Sequence, residues 1–337
     1  MIDIARLAGV SRPAVSSVLN GAANGSTRVG PETAERIRSI ARKLNFHPNH
    51  AARQLAGRRS GIVGVLAKRF GQTEQRTFGQ LNHLAASRGL KTLVWQLDAQ
   101  PEALSTFVDE CFGWNVDGLI YIAYRFDRVW PMVRKALRRL PRVVSIFGDP
   151  EIPGGRAVTI DSADGVRQCI QHLHGQGRRR IVQVLEGLET QMDRDRWNGF
   201  KAAHQEFCGF AADESQLCLA TTGWGVRDYE KYEQLARELV DDRHADAVLA
   251  ESDFIAPGLI RGLAQMGRRV PDDVALIGWG CETFVQGFLP ALTTVDFNVP
   301  QIIGQALDML TALIEEPNGE PPSSVCVKPN LLLEETG

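Results

Sequence analysis

The chain lacks any apolar run approaching the roughly 18 residues needed to span a bilayer, and it opens Met1-Ile2-Asp3 without a basic-then-apolar leader. A membrane anchor and a secretory signal are therefore not expected, and a cytoplasmic protein is. Only six cysteines occur in 337 residues. These are Cys111, Cys169, Cys208, Cys218, Cys281 and Cys326, widely scattered, with no C-x-x-C pair and no histidine cluster at metal spacing. Reduced buried thiols are the expected state rather than zinc ligands or disulfides. There is no G-x-S-x-G, no G-x-G-x-x-G after a strand and no paired-carboxylate site. His47 and His50 flank Pro48, and His172 and His174 share one surface helix, but neither pair has a metal partner. Neither an enzyme nor a cofactor is expected.

Acidic residues are scarce at one end. The first 60 residues carry ten Lys/Arg against three Asp/Glu, whereas the whole chain is formally −2, which leaves the other 277 residues at −9. A basic head on an acidic body divides the labour: the head meets a polyanion and the body is kept away from it. With 44% hydrophobic residues over this length, more than one core and more than one domain are expected.

Within the head, Ile4-Ala5-Arg6-Leu7-Ala8 has the apolar spacing of a helix. Gly9 breaks it, and Ser11 supplies a cap oxygen before Val15, Val18 and Leu19, which share one face. Asn20-Gly21 ends this second helix. A third is expected from Pro31 or Glu32 to Leu44, with Ile37, Ile40, Ala41 and Leu44 inward and Pro31 in the first turn, where its missing N–H is harmless. Two short helices around a glycine turn make a helix-turn-helix, whose second helix can enter the major groove of duplex DNA. Asp3 either caps the first helix or marks a reading frame that begins upstream.

The run from Ile4 to Gly21 resembles the head of the lactose/galactose repressor (LacI/GalR) family of bacterial transcription regulators. So do Arg28-Val29, Glu32-Thr33, Leu44-Asn45-Phe46-His47-Pro48-Asn49 and Ala52-Arg-Gln-Leu-Ala-Gly57, and the likeness continues through nearly the whole chain. It implies a recognition helix from about Arg12 to Asn20, with Ser11, Arg12, Pro13, Ala14, Ser16, Ser17 and Asn20 against DNA and Arg28 beyond them. Arg12 can reach a guanine edge or a phosphate. Two positions depart from the pattern: Ser17 stands where Arg is common, and Pro13 restrains Arg12. The glycines of the loop from Gly21 to Arg28 lack the Lys-Ser/Thr ending of a nucleotide loop, so they form turns.

Asn49 to Gly57 has small apolar residues at helical spacing but is too short to be a stable isolated helix in water. By resemblance it is the hinge helix, ordered when two copies share the minor groove. Leu55 is then the wedge that opens a base step, flanked by Asn49, Ala52, Arg53, Ala56 and Arg58.

From Ile62 the period changes. Apolar β-rich runs occur at Ile62–Leu66, Thr92–Leu97, Gly118–Ile122, Val143–Phe147, Ile181–Leu185, Ala247–Ala250 and Val274–Ile277, with amphipathic stretches between them. This indicates parallel sheets covered on both faces. The pattern occurs twice, changing near Val158–Asp161 and returning near Thr293–Asp296. By the same resemblance, the expected architecture is a small all-α helix-turn-helix head plus an α/β periplasmic-binding-protein-like body of two doubly wound parallel-sheet subdomains. The divisions are 1–47 for the head, 48–60 for the hinge, 61–157 with 294–323 for the first subdomain, and 158–293 with 324–337 for the second.

A ligand is expected between the subdomains at the strands' carboxyl ends. Resemblance places Arg196, three residues before a glycine, and Asp253, with Ser252 in place of the usual Asn, against it. Trp224 lies where some members put an aromatic. Phe147 replaces an Asp common in sugar-binding members, and the usual Gly-Phe/Tyr-Asp-Asp reads Gly278-Trp279-Gly280-Cys281. Arg and Asp suit a sugar or similar polar metabolite, but with fewer acceptors and more aromatic surface than a hexose site. The expected protein is a ligand-responsive, sequence-specific transcriptional regulator of the repressor type. It would act as a nucleoid-associated cytoplasmic homodimer on a near-palindromic double-stranded operator, with a small-molecule effector and no membrane. Glu334-Glu-Thr-Gly337 carries no trailing leucine heptad, so a dimer is the default rather than a coiled-coil tetramer. The alternative, a periplasmic-type solute-binding protein, would need a signal peptide and no basic head.

Overall fold

The computed structural model describes residues 1–20, 29–46, 59–67, 72–96, 101–123, 130–148, 156–220, 229–282, 287, 289–317, 319–320 and 323–337. They fall into two compact units, Met1–Ser60 and Gly61–Gly337.

In the first unit, α1 (Ile2–Ala8) ends at Gly9, whose left-handed φ of 64° lets the chain turn at once. Glycine meets that conformation without a steric penalty. The second helix, α2 (Arg12–Asn20), starts where Ser11 Oγ accepts a hydrogen bond from the Ala14 N–H at 3.3 Å. Pro31 opens α3 (Pro31–Lys43), which has Glu32 in its first turn and Arg42 and Lys43 in its last. Those charges match the helix dipole at both ends. Ile4, Val15 and Ile37 are sealed from solvent and meet Ala5, Ala8 and Ala41 in one small core. Two expectations change here. Leu44 follows the last residue of α3 and is exposed rather than inward. Asp3 lies inside α1 and pairs with Arg6 at 3.2 Å; the cap position is Met1, with no side-chain cap bond.

The body alternates strand and helix: β1 (Ile62–Ala67), α4 (Gln72–Ser87), β2 (Lys91–Gln96), α5 (Pro101–Gly113), β3 (Gly118–Ile122), α6 (Trp130–Leu137), β4 (Val143–Ile146) and β5 (Ala157–Ile160). It continues with α7 (Ser162–Gly175), β6 (Ile181–Leu185), α8 (Gln191–Cys208), β7 (Leu217–Leu219), α9 (Tyr229–Arg237), β8 (Ala247–Leu249), α10 (Ala256–Gln265) and β9 (Ala275–Trp279). Last come β10 (Thr293–Asp296), α11 (Val299–Glu315), β11 (Val325–Val327) and β12 (Asn330–Leu332). Two six-stranded sheets result, ordered β11-β5-β4-β3-β1-β2 and β12-β10-β9-β8-β6-β7. Every pairing is parallel except β10 with β12. The central strands β3, β6 and β9 are buried along their whole length, as continuous Val/Ile/Leu runs covered on both faces require.

The strand pairing moves the crossings. β5 and β11 pair with each other in the first sheet, Val325 opposite Val158 and Val327 opposite Ile160. The chain therefore leaves the first lobe after residue 160 and again after residue 327, rather than at the expected 157/158 and 323/324. It returns after β10. The helix that follows, α11, lays Ile302, Ile303, Ala306, Leu307, Leu310 and Ile314 as one buried stripe into the main core. Among the described residues, no helix is long and apolar enough to cross a membrane.

Candidate functional site

At the start of α2, Ser11, Arg12 and Pro13 are exposed, Ser16 and Ser17 are half-buried, and Ala14 is buried. Ala14 therefore packs inward, and its expected place against DNA is corrected: a methyl already enclosed by the head offers nothing to a base edge. The other exposed arginines of the head are partly engaged. Arg6 pairs with Asp3, and Arg38 and Arg42 share Glu35, all exposed pairs of little energetic weight. Arg12 has no ion pair among the described residues. Its cation stands at the entry of the helix with no carboxylate of the described residues paired to it. Asn20 closes α2. Arg28, Asn49, Ala52, Arg53, Leu55, Ala56 and Arg58 lie outside the described residues, as does Trp224.

In the body, the carboxyl ends of the two sheets meet. Phe147 follows β4 in the first lobe with φ 60°. Its ring lies 5.9 Å from that of Phe297, just beyond β10, and Phe297 lies 6.1 Å from Trp279 at the end of β9. The Arg196 guanidinium then covers Trp279 at 4.2 Å from the ring centre. All four side chains are buried. Resemblance to the family marked Arg196, and marked Phe147 and Trp279 as departures from its pattern. Phe297 was missed, because its position on the crossover gives it no periodic neighbour.

Arg196 is held by the second lobe. Nη1 donates to the Glu251 carbonyl at 2.9 Å and Nη2 to the Ala250 carbonyl at 3.0 Å. Gly199, one turn later, explains why α8 can carry it this deep: a Cβ there would come within 2.6 Å of the Ala163 backbone on α7. The cap of α8 is Thr190, whose Oγ1 accepts from the Asp193 N–H at 2.9 Å and donates to Asp193 Oδ2 at 2.7 Å. Among the described residues, Asp193 Oδ1, Ser252 Oγ, Ser162 Oγ and the Trp279 indole N–H are buried without a hydrogen-bond partner. All four lie at or beyond strand carboxyl ends, where open α/β sheets bind ligands. Buried polar atoms are seldom left so, and an acceptor and three donors there suit a molecule bearing both kinds of group.

Asp253 is fully buried and already engaged. Oδ1 accepts from the Thr294 hydroxyl at 2.6 Å and Oδ2 from the Glu282 N–H at 2.7 Å. Desolvation, and to a smaller extent the Glu282 carboxylate, push its pKa up to about 6 from 3.8 against the pull of those hydrogen bonds. The folded state thus binds the proton more tightly than the unfolded chain. This group's contribution to stability is greatest below about pH 4 and falls as pH rises through about pH 6. Asp253→Asn is expected to flatten that slope and to be tolerated at neutral pH, since the Thr294 hydroxyl can turn to accept from the amide. Asp253→Ala strands both donors and is expected to cost about 2–4 kcal/mol. Urea unfolding at about pH 4 and about pH 7 compares the three; equal slopes for wild type and Asn would contradict the assignment.

An exposed cationic helix-turn-helix unit and a two-lobed body with an orphan-rich junction define a DNA-binding regulator that senses a small molecule. Residues 1–49 match the bacterial regulatory proteins of the lacI family, and residues 170–336 match the periplasmic binding protein-like domain. The HTH-type transcriptional regulator CelR of Thermobifida fusca is 28% identical over 359 aligned positions, spanning 99% of this chain and 97% of CelR. A solved complex of CelR with cellobiose covers 99% of this chain and 98% of its own at 24% identity and a TM-score of 0.69. A Lac repressor dimer bound to operator and an anti-inducer superposes with a TM-score of 0.78 at 22% identity, covering 99% and 97%. The chain thus carries a lacI-family DNA-binding head and a periplasmic binding protein-like body, and it is similar to lacI-type transcriptional regulators along nearly its whole length.

Proposed function

We propose that the protein is a repressor-type regulator. Two chains present their α2 helices to a near-palindromic operator, and an effector at the Arg196–Trp279 junction alters operator affinity. The observation that carries the reading is the exposed Arg12 at the start of α2, without an ion pair among the described residues. In this reading Arg12 and Ser17 address base edges or phosphates, Ser11, Pro13, Ser16 and Asn20 pack against the groove, and Arg28 grips the backbone. Asn49, Ala52, Arg53, Leu55, Ala56 and Arg58 form the minor-groove hinge. The chain acts by binding rather than by catalysis. A solute-binding protein would share the body but has no use for a basic head.

The effector rests on Arg196 and on the aromatic row that begins with Phe147, with Trp224 as a further contact and Asp253 behind them. CelR is solved with cellobiose. An aromatic-rich junction suits the same kind of molecule, a sugar with an apolar face, and suits a nucleobase-like compound as well. Coupling of about 1–3 kcal/mol between effector and operator would change affinity roughly 5–150-fold.

Selection of bound duplexes from a random pool tests the reading. Enrichment of an inverted repeat, with affinity falling steeply as salt rises, is expected; no salt-sensitive binding to any duplex overturns it. On the selected site, Leu55→Ala is expected to weaken binding by about tenfold or more through loss of the wedge, and to leave effector binding intact. Equal affinity in a gel-shift titration removes Leu55 from the hinge assignment.

A further inference from the structure

Arg76 lies in the first lobe, in the second turn of α4, yet its hydrogen bonds among the described residues go to the second. Nη1 donates to the carbonyls of Gly280 at 3.1 Å and Cys281 at 2.6 Å, and Nη2 to Asp296 Oδ1 at 3.2 Å. The two carbonyls converge on one guanidinium because Gly280 and Cys281 both have positive φ, 131° and 54°. About a quarter of the Arg76 side chain is accessible and a fifth of Asp296, so water screens this fork less than it does an open surface pair.

The turn that receives the fork is pinned beneath. Gly280 N–H bonds the Val295 carbonyl at 2.9 Å, Cys281 N–H bonds Thr294 Oγ1 at 3.3 Å and Glu282 N–H bonds Asp253 Oδ2 at 2.7 Å. Its first residue is preceded by Trp279, the ring under Arg196, and the Trp279 carbonyl accepts from the Asp253 N–H at 3.1 Å. One short segment thus touches the candidate effector site on one side and the opposite lobe on the other. We infer that Arg76 is the positioning residue that converts the state of the 279–282 segment into the angle between the lobes, and thereby into operator affinity.

The coupling follows from geometry. A tilt of Trp279 rotates the peptide planes of Gly280 and Cys281, and a fork that bonds two carbonyls together cannot follow both. The lobes then lose a charged clasp between α4 and the β9–β10 ends. Asp253 acts from the other side by holding the segment rigid, so that ring motion is transmitted instead of absorbed. This inference rests on the proposed effector site, but the clasp itself can be tested without any ligand.

The full-length chain, with no small molecule added, is compared with Arg76→Ala, Arg76→Lys and Arg88→Ala. Arg88 immediately follows α4 and pairs with Asp308 on α11 at 2.7 Å, within the first lobe. Hydrogen–deuterium exchange of the 279–282 peptide is expected to accelerate about tenfold in Arg76→Ala, less in Arg76→Lys, and not in Arg88→Ala. Affinity for the selected duplex is expected to change at least about fivefold in Arg76→Ala alone. Unchanged exchange at 279–282, or acceleration spread evenly through the body, overturns the clasp. Accelerated local exchange with unchanged operator affinity overturns the coupling. If the wild-type protein binds no duplex at all, the proposed function falls, while the exchange result still decides the clasp.

Discussion

Arg196→Ala is expected to cost the body about 3–5 kcal/mol and to abolish any effector response. Arg196 is the largest fully buried side chain among the described residues, at 1% exposure. Truncation removes the donors to the Ala250 and Glu251 carbonyls, uncovers the face of Trp279 and leaves a hole the size of a guanidinium and its stem. A residue that only touched a ligand would lose the response without the stability. Arg196→Lys keeps the charge but cannot fork onto two carbonyls or stack as a plane, so it is expected to recover less than half of the loss. Arg196→Met restores volume without donors and separates the packing share from the bonding share. Urea unfolding followed by a probe in the body provides the measurement. A body transition within about 1 kcal/mol of wild type would show that the guanidinium is not a structural tie.

That expectation modifies what the sequence alone implied for this residue. Resemblance marked Arg196, three residues before a glycine, and the structure adds the physical reason for that glycine: α8 approaches the α7 backbone closely at Gly199. The dual role of Arg196 was not legible. The acceptors are main-chain carbonyls at the end of β8, and carbonyls have no sequence signature. Asp253 was likewise marked by resemblance, but its partners Thr294 and the Glu282 N–H come from 41 and 29 residues away. Arg76 was not marked at all, since a single arginine on an amphipathic helix reads as a solvated face until the opposite lobe is in place.

The sheets were far more legible than the site. Buried parallel strands must be continuous apolar runs, so β1, β3, β4, β6, β8 and β9 announce themselves within a residue or two. β7, β11 and β12 have only three residues each. β8 is as short but is wholly buried within the apolar run Ala247–Ala250, whereas these three are partly exposed, and neither alternation nor an apolar run distinguishes them from a loop. The misplaced crossings have the same origin: β11 reads like part of the terminal lobe, and only its pairing with β5 assigns it to the first. In the head, periodicity placed all three helices but overextended the third by one residue, which turned an exposed Leu44 inward.

Ile37→Asp is expected to abolish operator binding, by more than about a hundredfold, while leaving the body's thermal transition in place. The head has one small core, and Ile37, Ile4 and Val15 are its three sealed side chains of branched or larger size. Units of this size hold only a few kcal/mol of stability. An unpaired carboxylate in that core costs several kcal/mol, more than the unit can absorb, so α2 loses the support that orients it. Ile37→Val removes one methylene at about 1 kcal/mol and is expected to keep duplex binding within a few-fold of wild type. The pair therefore separates loss of fold from loss of contact: α3 presents Ile37 inward, so the residue has no route to DNA except through the packing of α2. Duplex titration and thermal unfolding of both variants check the outcome. Wild-type affinity and salt dependence in Ile37→Asp would mean that DNA is held by something other than the folded helix-turn-helix.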